Sequence, residues 1–172
     1  MRFVDSPSSW TISYDLPELP NFLFWLRWRT ADAPPCPEAA WWEWLDEIMA
    51  FGLPGRWTPD QHTLIRYPAL AELAEREWPV FRREWHGWHG DDGHKMALAW
   101  RIIRGPQEVP PPQPPLEEIL EGSSLELRFM LVVDAGDLVR QVGPNTWLLG
   151  EAYLDPPRQS ELVARLRRDL ED

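Results

Sequence analysis

The sequence predicts a single α+β domain, a largely antiparallel sheet of about six or seven strands with three main helices packed on it. Three observations carry that expectation. Glu38 to Phe51 (EAAWWEWLDEIMAF) repeats its apolar residues at helical spacing. Several other stretches alternate in the manner of half-buried strands. A chain of 172 residues at 44% hydrophobic content is long enough for one core.

In chain order, Trp10 to Tyr14 (WTISY) is expected as a strand, Leu16 to Pro20 as a proline-braced loop, and Phe22 to Arg29 (FLFWLRWR) as a second strand. Ala31 to Pro37 then leads into the Glu38 to Phe51 helix. There Trp41, Trp44, Leu45 and Ile48 share one face, Trp42 and Met49 widen it, and Gly52, Leu53 and Pro54 stop it. Gly55 to Asp60 reads as a turn and Thr63 to Tyr67 as a short strand. Pro68 to Trp88 is expected to be a kinked helix or two abutting ones, because the stripe Leu70, Leu73, Ala74, Trp78, Phe81, Trp85, Trp88 runs through Pro79. His86 to His94 (HGWHGDDGH) breaks the pattern with three glycines, and the alternation in Met96 to Arg104 favours a strand.

Gly105 to Pro115 holds six prolines and reads as an extended strap joining an N-terminal part, residues 1–104, to a C-terminal part, residues 116–172, which is too small to fold alone. Beyond it come a helical turn at Leu116 to Glu121 and a three-stranded meander of Leu125 to Val133, Leu138 to Val142 and Trp147 to Leu154. A final helix starts at Asp155–Pro156, with Leu162, Val163, Leu166 and Leu170 on its apolar stripe.

The net charge of -11 argues against a nucleic-acid backbone as ligand, since phosphate binding relies on clustered cations; a basic protein is the more natural partner. A single cysteine, the absence of a signal-peptide pattern and the absence of long apolar runs predict a cytoplasmic chain that stays off the membrane. Lys95 is the only lysine, and the arginine and proline bias suggests a bacterial source with a GC-rich genome.

No phosphate loop, dinucleotide fingerprint, GxSxG elbow or HExxH occurs in the sequence. One cluster has ligand chemistry: His86, His89 and His94 with Asp91 and Asp92, imidazoles and carboxylates that a glycine-rich loop would let close on a divalent metal. The spacing matches no standard site, and Gly-Asp-Asp-Gly is ordinary turn chemistry, so no cofactor is expected. Cys36 lies between Pro35 and Pro37 with no histidine nearby in sequence, the setting of a passive thiol.

Twelve tryptophans are the other anomaly, and most fall on inward faces. Trp42, Trp57, Trp85 and Trp88 fit those faces poorly and are candidates for a recognition patch, with Glu43 and Glu47 as acids on its rim. The resulting expectation is a non-enzymatic, cytoplasmic protein-binding module, comparable in profile to a toxin-neutralising immunity or inhibitor protein for a basic partner. The alternative is a small metal-dependent hydrolase built on the His86 to His94 loop.

Overall fold

Eight consecutive residues, Leu19 to Leu26, are buried, and they are helical. This is the largest departure from the expected order, which made Phe22 to Arg29 a strand. A short run that is apolar on every side satisfies a strand buried on both faces and a helix buried all round equally well, so periodicity alone cannot separate the two. The helix, α1 (Glu18–Arg29), begins after Pro17 and tolerates Pro20 because the first-turn N–H groups have no partner within a helix. Glu18 in its first turn and Arg27 and Arg29 in its last complement the helix dipole.

The computed structural model describes residues 2–3, 11–50, 61–87, 93–104, 126–155, 158, 161–162 and 165–166. They form two compact units, one drawn from Leu16–Ala97 and Val132–Asp134, the other from Met1–Asp15, Leu98–Leu131 and Ala135–Asp172. Residues 105–115, the expected proline strap, lie outside the described residues, as does the helical turn expected at Leu116 to Glu121.

The first unit is helical. After α1 come α2 (Glu38–Ala50), α3 (His62–Arg66) and α4 (Pro68–His86), and then the start of α5 (His94–Arg104). The α2 helix follows its expected pattern, with Trp41, Trp44, Leu45 and Ile48 buried. The strand expected at Thr63 to Tyr67 is instead the single turn α3. Its N-cap residue Gln61 makes no side-chain cap bond; Glu47 of α2 does that work, its carboxylate oxygens lying 2.9 and 3.1 Å from the Thr63 N–H. A five-residue helix capped from another element leaves no local signal. Met96 to Arg104, also expected as a strand, belongs to α5, where Met, Ala and Leu are good helix formers and the alternation was coincidental.

One helical element runs from Pro68 to His86 with Pro79 inside it, and Gly87 at φ 78° ends it. Phe81 and Trp85 on its inner side stack at 5.6 Å, and Phe22 meets Trp78 at 4.8 Å and Trp44 at 6.1 Å edge-on and Phe81 at 5.2 Å with its ring tilted. Such ring pairs contribute about 0.5–1.5 kcal/mol each beyond burial. The indole N–H of Trp25 donates to Glu84 at 2.8 Å and that of Trp44 to Gln61 at 2.6 Å, so both deeply placed rings keep their polar atom satisfied.

The second unit holds one sheet in the order β1-β2-β3-β5-β4: β1 (Arg2–Phe3), β2 (Thr11–Asp15), β3 (Glu126–Val132), β4 (Val139–Gly143) and β5 (Thr146–Gly150). The outermost strand, β1, has only two residues, which leaves four strands of ordinary length. The sheet is mixed, because β2 and β3 run parallel in the register Thr11↔Glu126 to Asp15↔Met130. An antiparallel sheet of six or seven strands is therefore overturned: three of the expected strands are helices, and the chain returns to pair β3 with β2 from over a hundred residues away. The Arg128–Asp15 ion pair spans that parallel join.

The expected meander is also reordered, with β5 lying between β3 and β4. Trp147, Leu148 and Leu149 of β5 are all buried, whereas β4 (VRQVG) has intermediate or exposed positions throughout. An all-apolar strand belongs inside a sheet and a polar one at its edge. The β5 strand stops at Gly150, where a Cβ would sit 2.0 Å from the carbonyl oxygen of Gly136, and Glu151–Leu154 continues as a 3-10 turn. Residues 158, 161–162 and 165–166 are helical, with Leu162 and Leu166 buried as expected. No described helix is long and apolar enough to cross a membrane.

Candidate functional site

The end of α1, the turn that follows it and the start of α2 enclose an open cleft of about 320 Å³, lined by Phe24, Arg27, Trp28, Ala31, Pro34, Glu38, Trp41 and Asp134. All belong to the helical unit. Phe24, Arg27 and Trp28 reach it together because residues three and four apart share a helix face. Thr30 closes α1, its N–H and hydroxyl both donating to the Leu26 carbonyl at 3.2 and 2.9 Å. Tight turns follow, with Ala31 N–H on Trp28 O at 3.3 Å and Ala33 N–H on Thr30 O at 3.0 Å. Pro34, Pro35 and Pro37 then fix the backbone up to α2.

Across the loop the Arg27 guanidinium reaches Glu38 at 2.6 Å and lies 5.3 Å from the centre of the Trp42 ring. Trp41 and Phe24 form a buried floor, both 2% exposed, while Trp28 stands 62% exposed at the mouth. Asp134 adopts φ 55°, the left-handed conformation uncommon for residues other than glycine and most accessible to Asn and Asp. The lining thus carries one cation and two carboxylates around exposed and buried aromatic rings. Beside it, burial and the charge of Glu38 push the Cys36 thiol up to about 11, which keeps it protonated at neutral pH and ill suited to nucleophilic attack.

Four of the six residues expected to form the recognition patch are described, and each has a place within the helical unit. Trp42 is half-buried between Arg27 and Phe24, whose ring is 6.0 Å away. Glu43 accepts from Arg66 at 3.0 Å, and Glu47 caps α3. Trp85 is fully buried on Phe81 and offers no face to a partner. Trp57 and Trp88 lie outside the described residues.

Of the metal candidates, His86 sits 3.2 Å from a Glu18 oxygen that also accepts from Arg82 at 3.1 Å, and His94 is exposed at the start of α5. His89, Asp91 and Asp92 lie outside the described residues, among which no group of three His, Cys, Asp or Glu side chains is gathered as a metal would need. The two ends of the loop do meet, since a Cβ on Gly93 would fall 2.2 Å from the Gly87 nitrogen.

Sequence reasoning missed Trp28, Arg27 and Asp134 as site residues, and Glu38 except as a helix start. With Phe22 to Arg29 treated as a strand, Trp28 fell on the inward face with Phe22, Phe24 and Leu26. The usable signal was the switch to Arg-Trp-Arg at residues 27–29, which marks the helix reaching solvent. No protein-family model, curated protein or solved structure matches the chain.

Proposed function

We propose that this chain is a stoichiometric protein-binding module for a basic partner, of the inhibitor or immunity type, and is not an enzyme. The observation that supports the reading is Trp28, 62% exposed at the mouth of the cleft. Interface hot spots are enriched in tryptophan, and covering the exposed part of such a ring is worth about 2–4 kcal/mol, the size of a hot-spot contribution. The net charge of -11 complements this by steering a basic protein into contact before the ring is covered. In this reading Glu43 and Glu47 contribute to the acidic field while remaining tied to Arg66 and α3.

The test is affinity capture with the wild-type chain from an extract of the organism that encodes it, at low and high salt, followed by calorimetry on the identified partner. A basic protein that forms a one-to-one complex weakened by salt is the expected result. Failure of any captured protein to form a defined complex, or a purified chain that hydrolyses substrate only with a divalent metal and loses this on His89→Ala, overturns the reading.

A further inference from the structure

We infer that the cleft between α1 and α2 receives an arginine side chain of the partner, stacked on Trp28 and held by the carboxylates of Glu38 and Asp134; this rests on the binding-module reading above. A volume of about 320 Å³ is at the small end of ligand sites, enough for one long side chain and too little for a folded element. The lining holds two carboxylates and one guanidinium, the latter paired with Glu38 at 2.6 Å, so its formal charge is negative, which favours a cation and disfavours a phosphate or carboxylate ligand.

Among the described residues the same arginine-on-ring contact occurs three times. Arg27 lies over Trp42 at 5.3 Å, Arg29 over Trp25 at 4.6 Å and Arg66 over Tyr67 at 5.1 Å. Trp28, between the first two arginines in sequence, carries no arginine over its ring among the described residues, and it is the most exposed of their tryptophans. Arginine fits better than lysine because its planar group stacks on an indole while its fork of donors engages carboxylates, whereas an ammonium is a more strongly hydrated point charge. A carboxylate accepts several hydrogen bonds, so a contact within the chain at Glu38 or Asp134 does not by itself exclude a further donor.

The probe is a blocked Gly-Ser-Arg-Ser-Gly peptide, with lysine and citrulline versions, titrated into the full chain labelled with ¹⁵N-tryptophan. Trp28 is assigned by the signal missing from Trp28→Ala. The arginine peptide should shift that signal with an affinity on the order of millimolar, and citrulline, which keeps the shape without the charge, should not. Trp28→Ala, at an exposed position, and Asp134→Asn, which tolerates the left-handed backbone, should each weaken arginine binding about tenfold. Equal binding of citrulline and arginine, or no change in affinity with Trp28→Ala, overturns the inference. A captured partner that binds wild type and Trp28→Ala alike leaves the module standing and removes this cleft from it; arginine-peptide binding by a chain with no protein partner does the reverse.

Discussion

Asn21 accepts the N–H of Val133 at 2.8 Å through its side-chain oxygen and donates to the Pro17 carbonyl at 2.7 Å through its side-chain nitrogen, while itself wholly buried. It ties the first turn of α1 to a segment 112 residues further along the chain. Asn21→Ala leaves a buried backbone donor without its acceptor and should cost about 1–3 kcal/mol. Denaturant unfolding measures the loss, and faster amide exchange at Val133 locates it. Unchanged exchange at that amide would show that the bond is dispensable.

Trp41 and Trp28 line one cleft but should respond very differently to truncation. Trp41 is 2% exposed and Trp28 62% exposed. Trp41→Ala removes a core ring and should cost about 3–5 kcal/mol, whereas Trp28→Ala should stay within about 0.5 kcal/mol of wild type. Urea midpoints of the two variants decide the matter. A large loss from Trp28→Ala would mean that its ring supports the fold.

The elements legible in the sequence are those whose pattern has one interpretation. The α2 stripe, the alternation in β3 and the short strand near Tyr14 were all recoverable. The errors share a cause: FLFWLRWR, TLIRY and MALAWRIIR are too short or too uniformly apolar for spacing to separate period 2 from period 3.6. The parallel β2–β3 pairing and the cap on α3 are long-range facts with no local trace. The cleft was illegible for the same reason as α1, since Trp28 becomes a surface residue only once the helix is known.

Pro79 lies inside α4 and is exposed, so nothing in the core requires its ring. A proline there removes one helical hydrogen bond and crowds the preceding turn. Pro79→Ala should therefore stabilise the chain, by about 1–3 kcal/mol, read as a rise in the unfolding midpoint. A fall would show that α4 depends on a bend at this position.

Cys36 gives a pH dependence whose sign is fixed. Burial first, and the Glu38 charge second, raise its thiol from 9.0 to about 11. The folded chain then holds its proton through a range in which the unfolded chain has lost it, so this contribution to stability is complete below about pH 9 and declines as pH rises to about 11. Labelling by iodoacetamide reads the same equilibrium, because only the thiolate reacts. At pH 8 its thiolate fraction should be about a hundredfold below that of the unfolded chain. Limited access to a side chain 8% exposed slows labelling by a factor that does not vary with pH, so the midpoint of the rate profile is the quantity to compare. Glu38→Gln should move that midpoint down by the smaller, electrostatic part and leave the part due to burial. A midpoint near 9 in the wild-type chain would place the thiol in water and remove it from the wall of the α1–α2 turn.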